Sequence, residues 1–480
     1  LFGASGGGGN AGCIGCVCSN GSKGSGFTSP ADGIPSGDNF DIDYVVHEVG
    51  HQLGGNHTFS FSNEGTGVNK EVGSGITIMG YAGITSQDVA PHSIAIFHQA
   101  SIDQIQTNMA TKTCPVTTNI TANNATPVAS VPASAYTIPI STPFALTGSA
   151  TDANAGDVLT YCWEQNDNAG STQTGNSSVA SATKASGPNW LSFVPTTSPT
   201  RLFPKLSTLQ AGLLITPTQG GDAVANVEAL SSVSRTLNFR MTVRDNAPYS
   251  STAPVTVGQT SFANVVVTVS NTSGPFQVTA PNTAVSWAGG STQTITWNVN
   301  NTTIAPVSCA NVKISLSTDG GVTFPTVLSA STPNDGTEAL TIPNTATTTA
   351  RIKVEAVGNI FFDISNTNFT ITASAGTLTT ITTSAISPTT LCAGAGISVP
   401  FTTNAAANAG NVFTAQLSNG SGSFASPVSI GTLTSTAAGT ISAIIPANTL
   451  AGTGYRIRVV SSNPAVTGSD NGTNIIINVA

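Results

Sequence analysis

His47-Glu48-Val49-Gly50-His51-Gln52-Leu53-Gly54-Gly55-Asn56-His57 is the stretch from which the rest of this 480-residue chain is read. A spacing of four places His47 and His51 on one face of a helix, where their imidazoles can share a zinc ion. Glu48 falls on the flank of that face, where a carboxylate can hold and deprotonate a water. Gly54 lets the backbone leave the helix through a turn that side chains resist, and His57 can return as a third ligand. All five histidines lie at or before His98, so whatever imidazole chemistry this chain performs is confined to its first fifth.

Working outward, Asp41 to Leu53 reads as one helix, with Asp38 or Asp41 to cap its start and Gly54-Gly55 to end it. A second helix is expected over Ser93 to Met109, on the spacing of Ile94, Phe97, Ile102, Ile105 and Met109. Pro91 ahead of it suits a helix start. His92 then reads as a helix-start residue and His98, beside Phe97, as a core histidine rather than a ligand. GASGGGGNAG lacks the Lys-Ser/Thr and helix of a phosphate loop and reads as a flexible segment. Of seven cysteines, Cys13, Cys16, Cys18 and Cys114 bracket this region. They suggest one or two disulfides within residues 1–114 and an oxidising compartment, in preference to a second metal site.

After Cys114 the texture changes to short alternating runs bounded by Gly, Pro and Asn. FALTGSATD, LTYCWEQ, LNFRMTV and FANVVVTVS read as strands of a sandwich over 127–270. QTITWNV, VKISLST and ARIKVEA belong to a second, over 274–373. ISVPFTT, FTAQLSN, AGTISAIIP and GYRIRVVS belong to a third, over 377–480. NITANNATPV, SNTSGP and TASAGT look like short linkers between them. Ser317 to Phe324 matches an Asp-box pattern, read here as a hairpin turn in which Asp319 binds backbone amides. Asp152, Asp157 and Asp245 fall at strand ends, either as turn-stabilising carboxylates or as a calcium site. Trp163, Trp287 and Trp297 sit in strand contexts that suggest cores rather than an exposed glycan platform.

Composition agrees. Only 8% of residues are charged, yet 39% are hydrophobic, enough to build cores and too uncharged for a disordered chain. A net charge of −8 excludes nucleic acid and anionic membrane as partners, which both demand basic patches. No run approaches the roughly eighteen apolar residues of a membrane span. No secretory leader stands at Leu1, so a processed or partial chain is expected.

Residues 47–57 resemble the zinc helix of metzincin metallopeptidases. The resemblance extends to Ile76-Thr77-Ile78-Met79-Gly80-Tyr81, similar to the methionine turn of that clan, with Met79 as the apolar floor beneath the histidines. Tyr81 matches the position of a tyrosine near the metal in some members; it is either an oxyanion stabiliser or a buried tyrosine with a bonded hydroxyl. The wider stretch from Gly26 to Gly83 is similar to reprolysin-like peptidases of Bacteroidetes, which carry β-sandwich modules and use type IX secretion. Thr58 departs from the aspartate that adamalysins have after the third histidine. Only 46 residues precede His47, so the resemblance implies that most of the upper subdomain is missing and that residues 1–19 supply its substrate-pairing edge strand.

The expectation is therefore a multidomain chain: a partial α+β metzincin-type domain over residues 1–114, followed by three all-β immunoglobulin-like sandwiches. It implies an extracellular or cell-surface zinc endopeptidase, with His47, His51 and His57 on zinc and Glu48 as the general base. Partners would be a protein or peptide substrate, a cell-envelope or glycan ligand for the sandwiches, and a cleaved upstream fragment. The rival is a structural or adhesive surface protein whose peptidase domain serves as a zinc-stabilised cap.

Overall fold

The computed structural model describes residues 3, 6–221, 224–374 and 376–479. It is a mixed α+β region followed by three β-sandwiches, and its contacts form two units, Leu1–Thr372 and Ala373–Ala480.

In the first region, strand β1 (Gly8–Asn10) runs antiparallel to β2 (Phe27–Ser29), with Gly9 opposite Thr28. Within the glycine-rich segment, Gly8–Asn10 is thus a strand and not a flexible tether, because β2 supplies partners for its backbone amides and carbonyls. Disulfides Cys13–Cys16 and Cys18–Cys114 staple the segment between them and tie it to the end of the region. Cys162, Cys309 and Cys392 are free.

The helix expected from Asp41 onward is not uniform. One α-turn at Asp38–Phe40 passes into a π-helical stretch, Asp41–Val46, before helix α1 (His47–Leu53). Apolar periodicity cannot distinguish the two windings, and π stretches concentrate where a helix serves a site. Gly54 ends α1 at φ +119°, its N–H bonded to the carbonyls of Gly50 and His51. A methyl group on Gly50 would stand 2.6 Å from Met79 Sδ and 3.0 Å from Phe97. That contact explains a residue that costs about 1 kcal/mol against alanine inside a helix.

Helix α2 (Gln99–Ala110) begins later than its pattern suggested, with His98 as the cap accepting from Ala100 N–H. The preceding residues are not helical because the methionine-turn segment takes their hydrogen bonds: Ile94 N–H to the Ile76 carbonyl and Ile78 N–H to the carbonyl of Ile96. His92 consequently lies outside any helix, exposed, with Nδ1 3.1 Å from Asp43.

The first sandwich is built on a sheet in the order Ala135–Pro139, Thr260–Ser270, Arg235–Arg244, Thr160–Gln165. Phe144–Thr147 and Thr200–Phe203 pair antiparallel with each other in a separate two-stranded sheet. Its core holds Phe144 stacked on Phe203 at 4.7 Å, with Trp190 and Phe239 edge-on around them. The second sandwich opposes Gln277–Ala280, Thr292–Asn298 and Thr337–Thr341 to a sheet led by Asn311–Ser317 and Thr347–Ala356. One apolar cluster runs through both, from Ile138 to Ile371. Their joint is a packed turn rather than a loose linker: a Cβ on Gly274, at φ +97°, would lie 2.7 Å from the Ile140 carbonyl. The mixed region is welded on in the same way, Val72, Ile76 and Val89 sharing a core with Leu191 and Val227. Trp163 and Trp297 are buried, and Trp287 is half-buried against Phe369.

Asp319 closes the Asp-box turn, accepting from Val322 N–H, Thr323 N–H and the Thr323 hydroxyl. Those bonds, led by the Ser317 hydroxyl, hold its carboxyl well below the usual range. The second unit pairs a seven-stranded sheet with a three-stranded one around Phe401 and Phe413, 4.6 Å apart. Among the described residues, no helix is long and apolar enough to cross a membrane.

Candidate metal centre

The α1 spacing and the turn at Gly54 bring one ring nitrogen from each of His47, His51 and His57 within 4.8 Å of one another. His57 Nε2 lies 3.2 Å from His47 Nε2 and 3.0 Å from His51 Nε2. Each opposite nitrogen is engaged by an oxygen. His47 Nδ1 sits 2.6 Å from the Ile78 carbonyl, His51 Nδ1 2.8 Å from the Gly55 carbonyl, and His57 Nδ1 2.9 Å from Glu64 Oε2. Carbonyls and carboxylates accept, so the protons belong on Nδ1 and the three Nε2 atoms present bare lone pairs to each other. Lone pairs at this distance repel unless a cation stands among them. Nitrogens about 2.0–2.1 Å from zinc in a tetrahedral site lie roughly 3.3 Å apart, close to the spacing found. The donor set therefore fits zinc.

Electrostatics agree. Burial, then the neighbouring imidazoles, push His47 and His57 down to about 3, and burial lowers His51 as well. All three stay neutral at physiological pH, the state a metal ligand needs. Glu48 lines a cleft of about 320 Å³ with Gly8, Gly9, Tyr44, His47 and Tyr81. Partial burial raises its carboxyl to about 7, against an opposing hydrogen bond from the Ala11 amide.

Met79 is wholly buried, its sulfur against Gly50 and its carbonyl accepting from Thr58 N–H at 3.0 Å. Tyr81 places its ring 4.5 Å from His57 and 5.5 Å from His47. Burial, then Glu64 and Glu48, hold its phenol up at about 12, so the hydroxyl keeps its proton. His98 is a core residue, its Nε2 3.3 Å from the Gln165 carbonyl.

Two carboxylates escaped the sequence reading. Glu64 orients His57, and Glu71 lies beneath the site with four donors on it. The one signal available was scarcity: in a chain so poor in charge, a glutamate soon after a metal motif asks for a reason.

Residues 1–109 match the family model described as Metallo-peptidase family M12B, reprolysin-like. With the histidine triad, that match makes this region metallopeptidase-like and implies a metal and a protein substrate. No curated protein matches the chain. Among solved structures, the fibronectin(III)-like modules of Clostridium thermocellum CbhA are 12% identical, at a TM-score of 0.15 over 43% of this chain and 94% of theirs. A Bacteroides ovatus mixed-linkage glucan utilization protein, SGBP-B, is 14% identical, at 0.15 over 72% and 66%. The human desmocollin-1 ectodomain is 10% identical, at 0.21 over 74% and 61%. At these scores the likenesses add nothing about this chain's ligands.

Asp152, Asp157 and Asp245 also bring one oxygen each within 4.8 Å of one another. Asp245 is fully buried and accepts from the Asn124 amide and the Ala247 and Gln259 N–H groups. The Oδ2 atoms of Asp152 and Asp157 are buried without a hydrogen-bond partner.

Proposed function

We propose that this chain is a zinc endopeptidase, exported to the cell surface or medium, that hydrolyses peptide bonds in proteins. The observation that carries the reading is the convergence of three bare Nε2 atoms beside a half-buried carboxyl at the wall of a cleft. Zinc held by His47, His51 and His57 would polarise the scissile carbonyl and acidify a water. Glu48 accepts the proton of the attacking water and passes it to the leaving amine. The Tyr81 phenol donates to the oxygen on which negative charge develops. Gly8 and Gly9 line the cleft, and the strand that carries them pairs with an extended substrate backbone. Two disulfides fit an oxidising compartment, and type IX export is the route the resemblance implies. The sandwiches serve as spacers or as modules for a glycan, protein or envelope ligand.

Proteolysis of an unfolded protein by the purified chain tests this. Activity should disappear when zinc is stripped by a chelator and return on adding one equivalent of zinc. A chain that binds zinc stoichiometrically yet cleaves nothing would instead support the structural or adhesive role.

The unpartnered carboxylate oxygens of Asp152 and Asp157 favour a calcium ion between them and Asp245, since like charges so close repel and calcium takes oxygen ligands. Calcium should then raise the melting temperature of the full chain, and Asp157→Asn should remove the increment. An unchanged melting curve across millimolar calcium would leave these residues as turn carboxylates.

A further inference from the structure

Glu71 is buried, 2% exposed, and no cation pairs with it among the described residues. A carboxylate in such a place needs its hydrogen bonds filled, and they are. Oε1 accepts from the hydroxyl of Thr58 at 2.6 Å and from the hydroxyl of Thr77. Oε2 accepts from Ile76 N–H at 2.7 Å and Thr77 N–H at 3.0 Å. These four donors belong to two segments well apart in sequence. Thr58 directly follows His57, the third candidate ligand. Thr77 directly precedes Ile78, whose carbonyl holds His47 Nδ1, and Ile78 in turn precedes Met79. Backbone bonds close the loop, Glu71 N–H to the Thr58 carbonyl at 2.9 Å and Thr58 N–H to the Met79 carbonyl at 3.0 Å.

We infer that Glu71 is a positioning residue of the metal centre, alongside Glu64, setting the backbone of His57 through Thr58 and His47 through the Ile78 carbonyl. The inference rests on the zinc reading above and names a residue that reading does not require. It also gives Thr58 a reason: its hydroxyl is the donor through which one carboxylate grips the segment bearing His57. His51 is held separately, by the Gly55 carbonyl at the end of its own helix. Losing Glu71 therefore loosens two ligands of three and leaves the third in place.

Zinc affinity of the full chain, measured by competition with a chromogenic chelator, is the direct test. Glu71→Gln turns an NH₂ toward donors that had faced an oxygen, and should weaken zinc binding by about 10- to 100-fold, the range for partners that orient metal ligands. Thr58→Val keeps the shape but removes one donor, and should weaken it in the same direction. Thr58→Ser restores the hydroxyl and should bind as the native chain does. With cobalt(II) in place of zinc, the visible bands of Thr58→Val should shift, which an effect on folding alone would not produce. Native affinity and native cobalt bands in both Glu71→Gln and Thr58→Val, with only a lower melting temperature, would overturn the inference and leave Glu71 as a brace of the fold. A native chain that binds no zinc would bring down the peptidase reading itself, a result distinguishable because it appears before any substitution is made.

Discussion

Glu48→Ala is expected to slow peptide-bond hydrolysis by about 10²- to 10⁴-fold, the range a positioned general base contributes, while bound zinc stays at one equivalent. The two halves of that expectation come from different parts of the geometry. The converging nitrogens are steered by the carbonyls of Ile78 and Gly55 and by Glu64, and Glu48 touches none of these supports. Its own carboxyl stands at the wall of the cleft beside Gly9, half withdrawn from water, so its proton affinity is raised to about 7. A base with that affinity is poised to take a proton near neutral pH and give it up again within the same turnover. Removing it should lower kcat and kcat/KM together. The check is initial-rate proteolysis with zinc measured in the same samples. Equal rates in zinc-loaded native and mutant chains would assign the proton transfer to another group.

The clustering of His47, His51 and His57 was legible because its geometry is local. Two histidines on one helical face and a third after a glycine turn are a pattern within eleven residues, and the turn needs Gly54 at positive φ, as found. Strand positions were legible for a similar reason: alternation in runs such as LNFRMTV reports one buried face, and Phe239, Met241 and Val243 are that face. What could not be read depends on partners far along the chain. Helix α2 starts at Gln99 because Ile94 and Ile96 bond to the methionine-turn segment, a competition invisible to periodicity. The π winding before His47 has the same apolar residues an α-helix would have. Glu64 and Glu71 act through loop geometry that no spacing encodes. The joint at Gly274 looked like a linker on composition, yet small polar residues also suit a tight, buried turn between two cores.

The glycine-rich start shows the same effect at the Glu48 carboxylate. On composition it is a tether, whereas in the structure Gly9 lies directly against Glu48: a Cβ there would stand 2.1 Å from Oε1, 2.7 Å from Cδ and 2.8 Å from Cγ. The strand cannot easily retreat, since Gly9 is paired with Thr28 across β2. The Glu48 side chain is the part that can yield, by rotating out of its place. Displacing a reacting group by about 1 Å can cost on the order of 10²-fold in rate. Gly9→Ala should therefore lower kcat by about that factor, with zinc content and melting temperature close to native. Gly21→Ala is the control, because nothing lies within 4 Å of a Cβ at that position and Gly21 does not line the cleft. It adds the same methyl group between β1 and β2 and should leave kcat near native. If Gly9→Ala cleaves at the native rate, the strand gives way rather than the carboxylate, and close packing between β1 and Glu48 is not what holds the base in register.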